Sequence, residues 1–187
     1  ASGTLGKLGI SLGSVALDLK QMMQSKSDIV DTLTGGIDFL FKKNEITRIE
    51  GSATITGAGS VTIVDGKDKG DYKAGKIMIA TGSHPSSLPG ITIDEKHIVS
   101  STGALSLKTL PKKMVVIGAG YIGLELGTVW ARLGAEVEII EFLPRILPGM
   151  DAEIAKKFMT IAKKQGLKFR LSTAVKSAKA GKNGVNL

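Results

Sequence analysis

The strongest constraint on the fold of this chain is a glycine-rich turn between an apolar run and a helical pattern. Residues 114–117 form a continuous apolar run, which is typical of a strand covered on both faces. A stretch with apolar residues at helical spacing follows the turn and ends at Gly134. The turn itself reads Gly118-Ala119-Gly120-Tyr121-Ile122-Gly123. Glycines in this strand–helix context predict a βαβ unit whose turn holds the pyrophosphate of a dinucleotide.

Each glycine of the turn has a separate task, and an acidic residue completes the pattern. Gly118 permits the tight turn, Gly120 lets the backbone approach phosphate, and Gly123 lets helix and strand pack closely. The helix N-terminus adds free N–H groups and roughly half a positive charge. Glu141 ends the next predicted strand, about 20 residues past the turn, where a carboxylate accepts from ribose hydroxyls and repels a 2′-phosphate. The pattern predicts NAD over NADP, a preference that Arg145 weakens; the alternative is a turn that serves packing, with Glu141 a solvated strand end.

The remaining elements predict an α/β fold with a parallel sheet, helices and a small antiparallel β-meander. The apolar periodicity predicts one long helix or two abutting helices over residues 14–43, packed on a core, with Gly35-Gly36 at a close contact. The meander is predicted from short β-branched segments, and it leads to a buried apolar strand at residues 76–80. The segments of the meander are residues 45–50, 53–56 and 60–64.

The second half of the chain repeats the alternation of strand and helix. A short helix is predicted to start near Ser100, and a hinge at Pro111 leads into the βαβ unit. Strand 136–140 follows the first helix of that unit, and Asp151 is predicted to cap the next helix. A strand at residues 167–171 then completes βαβαβ, and no further element is predicted after it.

Composition argues against several functional classes. The net charge is +8, but the lysines lie beside apolar stripes and aromatic residues make up 4% of the chain, so we expect solvated element ends and no nucleic-acid binding. No apolar run approaches the roughly 20 residues that span a bilayer, so no membrane association is expected. Cysteine is absent, and His84 and His97 are far apart, so no disulfide and no metal cluster are expected.

Five segments of the chain, taken together, resemble the dihydrolipoyl dehydrogenases, which belong to the FAD-dependent pyridine nucleotide-disulfide oxidoreductases. The resemblance implies their Rossmann-like FAD/NAD(P)-binding fold, with residues 1–110 as a partial FAD-binding domain and residues 111–187 as a partial NAD-binding domain. It extends through essentially the whole chain. The segments are Leu33-Thr34-Gly35-Gly36-Ile37, Ile79-Ala80-Thr81-Gly82-Ser83, Leu88-Pro89-Gly90-Ile91, Ser100-Ser101-Thr102-Gly103-Ala104-Leu105 and residues 115–125.

The resemblance implies an oxidoreductase that reoxidises dihydrolipoamide on a lipoyl carrier domain and passes electrons through a redox-active disulfide and FAD to NAD⁺. It implies a homodimer serving 2-oxo acid dehydrogenase or glycine cleavage complexes, in the mitochondrial matrix or, alternatively, the bacterial cytoplasm. The family's first FAD-binding turn, its cysteine pair and its dimerisation domain with a His–Glu pair have no counterpart here. We therefore expect an internal fragment without dehydrogenase turnover of its own.

The resemblance also implies residue roles, all in cofactor binding and none in catalysis. Glu125 matches a glutamate at the meeting point of flavin and nicotinamide, although its lysine partner is absent here; from the residues alone it would be an exposed carboxylate in the first helical turn. Ala53 stands where the family often has a glycine near the flavin nucleotide, which puts that contact in doubt. FAD binding is implied for Thr81, Gly82 and Ser83, and NAD binding for Gly118, Ala119, Gly120, Tyr121, Ile122, Gly123 and Glu141.

Three alternative functions stay open on the sequence. The first is a non-catalytic module that binds NAD through the glycine turn. The second is an assembly fragment in which the turn is vestigial, and the third is a related NADH-dependent flavin disulfide oxidoreductase such as an NADH oxidase. Exposed apolar edges in the first half predict association of the isolated chain.

Overall fold

The computed structural model describes residues 8–9, 13, 15–181 and 184–187. These residues form two compact units, one of residues 24–84 and the other of residues 85–187 together with the residues before Gln24. The boundary expected at residues 110/111 concerns cofactor-binding domains and stays a prediction. The predicted start of the first helix at Ser14 lies outside the described residues, and residues 15–18, also predicted to be helical, are not part of the helix.

The smaller unit contains most of a long helix and an antiparallel meander. Helix α1 spans Leu19–Lys43, and the strands are β1 (Ala53–Gly57), β2 (Ser60–Ile63) and β3 (Gly70–Lys73) in the order β1-β2-β3. The predicted antiparallel meander is confirmed at β1 and β2, whereas its third strand is β3, which was not predicted, rather than residues 45–50. The carboxylate of Asp65, which follows β2, accepts hydrogen bonds from the backbone N–H and the hydroxyl of Ser52, which precedes β1. These bonds lower the pKa of the Asp65 carboxyl.

Two predicted strands of this unit are wrong. Residues 45–50 and 76–80 pair with no neighbouring strand, and the segment predicted to be buried is exposed, with Met78 91% and Ile79 72% accessible. A strand is stabilised by backbone hydrogen bonds to a neighbour and by side chains packed on its faces. Neither segment finds that neighbour within the described part of the chain.

Helix α1 is amphipathic, and Leu19 and Met23 at its start pack against the core of the larger unit, but the rest of its apolar stripe is not packed on a core. No residue of the helix is buried, and Ile29, Leu33 and Ile37 are all exposed. A Cβ added at Gly35 or Gly36 would meet nothing within 4 Å, so the predicted close contact there is also wrong. The periodicity correctly predicted a helix, but its burial depends on other elements that the described chain does not place there.

The larger unit is the predicted βαβαβ. Its elements are β4 (Lys113–Ile117), α3 (Tyr121–Leu133), β5 (Glu136–Ile140), α4 (Ala152–Lys164) and β6 (Lys168–Arg170). The three strands are parallel in the order β4-β5-β6, with Met114 opposite Val137 and Ile139 opposite Phe169. Gly134 ends α3 in the left-handed conformation, as predicted. The α/β fold class is confirmed.

Two shorter elements complete this unit. Helix α2 (Ser101–Ala104) is capped by Ser100, whose hydroxyl accepts from the N–H of Gly103, which confirms the predicted start. A hairpin of β7 (Lys179–Gly181) and β8 (Gly184–Asn186) follows the parallel sheet and contradicts the expectation of no further element. The sequence signal that should have predicted it is the dipeptide Asn183-Gly184.

The core of the larger unit lies on one face of its sheet. Leu124 and Trp130 of α3 pack with Val137 and Ile139 of β5, and Ala155 and Ala162 of α4 are buried in the same cluster. The other face is open, since Val115 and Ile117 are 41% and 37% exposed. The prediction that residues 114–117 are covered on both faces is therefore wrong for this chain.

Ion pairs line that open face. Glu136 of β5 pairs with both Lys113 of β4 and Lys168 of β6, and Arg170 pairs with Glu138 at 2.6 Å. The hydrogen bond from Lys168 and the positive charges of Lys168 and Lys113 lower the pKa of the Glu136 carboxyl. None of the helices in the described part of the chain is long and apolar enough to cross a membrane.

Candidate functional site

The glycine turn joins β4 to α3 and leaves the start of that helix open. Gly118 has φ 104°, a left-handed value that favours glycine, and its N–H donates to the carbonyl of Ile140 at 2.8 Å. Gly120 is the N-cap of α3 and makes no side-chain capping bond. Side chains of Asp18, Ser100 and Asp151 accept from N–H groups in the first turns of the other described helices. The first-turn N–H groups of α3 thus have no side-chain cap and are available to an anion.

Glu141 lies against the turn and bonds to it directly. Its Oε2 accepts from the backbone N–H of Ala119 at 2.7 Å, and its Oε1 accepts from the N–H of Leu143 at 2.8 Å. A carboxylate offers about four acceptor positions, so both oxygens keep capacity for ribose hydroxyls. The structure therefore brings the predicted acid and the predicted turn together within one unit.

The third glycine of the turn is required by the backbone around it. Because the N–H of Ala119 faces Glu141, the carbonyl of the same trans peptide points the opposite way. A Cβ at Gly123 would overlap this carbonyl oxygen, which belongs to Gly118, and would lie 3.0 Å from Cγ1 of Val116. Added Cβ atoms at Gly118 and Gly120 would meet nothing within 4 Å. The turn is closely packed at Gly123 and leaves free space at Gly118 and Gly120, which suits the binding of a pyrophosphate.

The other predicted NAD residues differ in exposure. Ala119 is fully buried, whereas Tyr121 is 70% exposed and Ile122 is also exposed. Glu125 is exposed, as expected, but the first turn of α3 contains no acidic residue, so its predicted place in that turn is wrong. Glu125 lies one step further along the helix, where the helix dipole acts on it less.

The predicted FAD residues belong to the smaller unit. Ala53 opens β1 opposite Ile63 and is exposed, and residues 81–83 are exposed without regular structure. Gly82 has φ 73°, which a side chain would strain. The predicted NAD-binding residues therefore lie together in the larger unit, and the predicted FAD-binding residues lie in the smaller unit. No group of three or more His, Asp or Glu side chains within the described ranges is arranged to hold a metal ion.

Comparison with known proteins establishes the family. The family model described as pyridine nucleotide-disulphide oxidoreductase matches residues 4–187. The chain belongs to this family. The match confirms the resemblance drawn from the sequence and the pyridine nucleotide as one cofactor of the family.

Individual relatives agree with this assignment. A leghemoglobin reductase from Vigna unguiculata is 52% identical over 96% of this chain, and a mitochondrial dihydrolipoyl dehydrogenase from Pisum sativum is 49% identical over 96%. This chain covers 34% and 36% of those two proteins, so it spans about a third of their length.

A solved structure confirms the fold. The HOCl-induced flavoprotein disulfide reductase RclA from Escherichia coli, as its Cu(II) complex, matches with a TM-score of 0.72 and 27% identity. The match covers 88% of this chain and 38% of that protein. The word flavoprotein in its name agrees with FAD as the second cofactor of the family.

Proposed function

We propose that this chain provides the NAD half-site and one side of the FAD site of a dihydrolipoyl dehydrogenase. The observation that carries the proposal is the uncapped glycine turn of α3 with the Glu141 carboxylate 2.7 Å from the Ala119 N–H. The name of the Pisum sativum relative, at 49% identity, supports the reaction: oxidation of dihydrolipoamide by NAD⁺.

The residues of this chain bind and orient the cofactors. The open N–H groups at the start of α3 hold the pyrophosphate of NAD, and Glu141 holds the adenosine ribose and disfavours a 2′-phosphate. Thr81, Gly82, Ser83 and Ala53 contribute to FAD binding, and Glu125 faces the meeting point of the two rings. Bound FAD and NAD supply the electron and hydride transfers. No residue of this chain has a catalytic role in the proposal, and the chain by itself has no turnover.

The wider assignment rests on the same relatives. We propose residues 1–110 as part of an FAD-binding domain and residues 111–187 as part of an NAD-binding domain of a homodimer. Its partner is dihydrolipoamide on a lipoyl carrier domain of a 2-oxo acid dehydrogenase or glycine cleavage complex. The mitochondrial name of the Pisum sativum relative supports the matrix, with the bacterial cytoplasm as the alternative. No nucleic acid or membrane takes part.

A second candidate is a related NADH-dependent flavin disulfide oxidoreductase. Two names support it, the leghemoglobin reductase at 52% identity and the disulfide reductase at 27%. The two candidates share both cofactors and differ in the electron acceptor. They are separated by assaying the protein expressed from its complete reading frame.

The experiment begins with the intact mass of that protein and its absorption spectrum. A yellow, flavin-containing protein far longer than this chain that oxidises dihydrolipoamide with NAD⁺ supports the first candidate. Flavin with NADH oxidation but without dihydrolipoamide activity supports the second. A protein of 187 residues without flavin contradicts both and leaves an NAD-binding module.

Glu141→Gln tests the nucleotide preference. The wild-type protein is expected to bind NADH about tenfold or more tightly than NADPH, because the carboxylate repels a 2′-phosphate. The amide keeps an acceptor oxygen for the Ala119 N–H but lacks the charge and cannot also accept from the Leu143 N–H, so this ratio should fall several-fold. Dissociation constants from nucleotide fluorescence titrations give the ratio. Glu153→Gln, on the exposed first turn of α4, is the matched control and should leave it unchanged; an unchanged ratio in Glu141→Gln contradicts the assignment of Glu141.

A further inference from the structure

The loop between β5 and α4 is fastened to the middle of the glycine turn. The N–H of Leu147 donates to the carbonyl of Ala119 at 3.0 Å, and the neighbouring Ile146 is buried in the core. The N–H of Ala119 is bonded to Glu141. Both backbone groups of Ala119 are therefore held, one by the end of β5 and the other by the loop.

This second bond fixes the direction of an N–H group that faces the open side. In a trans peptide the carbonyl and the N–H point in opposite directions. Because the carbonyl of Ala119 points to Leu147, the N–H of Gly120 points away from the loop. Gly120 is the N-cap of α3, so this N–H lies at the helix end to which the pyrophosphate is assigned.

The loop conformation that supplies the Leu147 N–H is strained. Leu147 has φ 48°, in the left-handed region that non-glycine residues adopt only at a cost in free energy. Such a conformation persists where surrounding bonds enforce it. One of them runs from the N–H of Met150 to the carbonyl of Leu147, at 2.9 Å.

Arg145 provides the other bonds. Its guanidinium donates through Nη2 to the carbonyl of Pro148 and through Nη1 to the carbonyl of Met150, at 3.3 Å for the latter. The planar guanidinium is suited to such a two-pronged contact, and a lysine ammonium is not. Arg145 closes the loop on the far side of Leu147, since Nη1 and Nη2 both bond to loop carbonyls.

We propose that Arg145 is a positioning residue for the NAD site. It holds the loop of residues 145–150 so that Leu147 fixes the Ala119 carbonyl, and through it the direction of the Gly120 N–H. The inference rests on the proposed NAD site. The positioning role differs from the expectation from sequence, in which Arg145 weakens the preference for NAD.

The test compares Arg145→Met and Arg145→Lys with wild type in the protein expressed from its complete reading frame. The first readout needs no nucleotide: amide hydrogen exchange of the loop peptide that contains Leu147. Exchange should be at least tenfold faster in both variants and unchanged in peptides of β4 and β5. The second readout is the dissociation constant of NADH, which should rise about tenfold in both variants, without a selective loss of NADPH binding.

Arg132→Met is the matched control, because it removes the same charge from an exposed position at the end of α3 and should change neither readout. Wild-type exchange and affinity in Arg145→Met overturn the inference. Wild-type affinity in Arg145→Lys assigns the effect to charge and also overturns it, as does a loss confined to NADPH. If the wild-type protein does not bind NADH, the proposed function fails, while the exchange comparison still decides whether Arg145 holds the loop.

Discussion

Gly123 is the residue at which the geometry of the turn is most sensitive to a single atom. A Cβ there overlaps the carbonyl oxygen of Gly118, whose peptide is oriented by the bond from Ala119 to Glu141. We expect Gly123→Ala to twist this peptide, weaken NADH binding by more than tenfold and cost about 1–3 kcal/mol of unfolding free energy. Urea denaturation and a nucleotide titration measure the two effects.

Gly75→Ala is the control for this substitution. An added Cβ at Gly75, in the smaller unit, meets nothing within 4 Å and its backbone is not left-handed, so both quantities should stay close to wild type. Equal behaviour of the two variants would show that the turn adapts to a Cβ at Gly123 and would remove the argument for tight packing behind it.

For individual residues, the sequence predicted that Glu141 lies near the glycine turn, but it did not predict the hydrogen bonds that hold the turn in place. Spacing after a strand was enough to bring Glu141 to the glycine turn, because parallel strands end at the same edge of a sheet. The Leu147–Ala119 bond and the grip of Arg145 on two carbonyls were not predicted. They depend on loop dihedrals, including a left-handed leucine, which no propensity favours.

The turn before α2 is organised by one carboxylate. Oδ1 of Asp94 accepts from the N–H groups of Lys96, His97 and Ile98 at 2.8 to 2.9 Å, and these bonds hold the pKa of the Asp94 carboxyl well below its ordinary value. A lowered folded-state pKa contributes stability that is present above the unfolded pKa of about 3.9 and is lost as pH falls through the folded pKa.

Asp94→Asn should therefore make the free energy of unfolding less dependent on pH in the acidic range. The amide oxygen still accepts from the turn but does not titrate, so the variant should lose less unfolding free energy than wild type between pH 5 and pH 3. Urea denaturation at the two pH values measures the difference. Asp31→Asn, an exposed position on α1, is the comparison and should follow wild type. A slope in Asp94→Asn equal to that of wild type would contradict this role.

Elements with local signals were predictable, and elements that need a distant partner were not. The βαβαβ unit has caps, glycine stops and periodicity within its own sequence, and its bounds came out within one or two residues. Residues 45–50 and 76–80 carry a strand pattern, yet a strand exists only where another strand accepts its hydrogen bonds. The apolar stripe of α1 likewise predicted a helix, but it did not predict which element, if any, packs against that stripe.

For the molecule as a whole, these exposed apolar surfaces share one explanation. The stripe of α1 at Ile29, Leu33 and Ile37, the segment at residues 76–80 and the face of β4 that carries Val115 and Ile117 all have core-type sequence patterns but are exposed in the described chain. The relatives are about three times as long as this chain. We infer that further parts of a longer protein cover these surfaces, which the proposed flavoprotein supplies.

Ile79→Ser distinguishes the two contexts. In the 187-residue chain Ile79 is 72% exposed, so the substitution should change the free energy of unfolding by no more than about 0.5 kcal/mol. In the protein expressed from its complete reading frame, where we expect a buried strand, removal of the same side chain should cost about 2–5 kcal/mol. Ile139→Ser, at a fully buried position of β5, should be severe in both. The test compares the change in unfolding free energy caused by Ile79→Ser in the 187-residue chain and in the longer protein. A small change in both would show that this segment stays exposed in the longer protein.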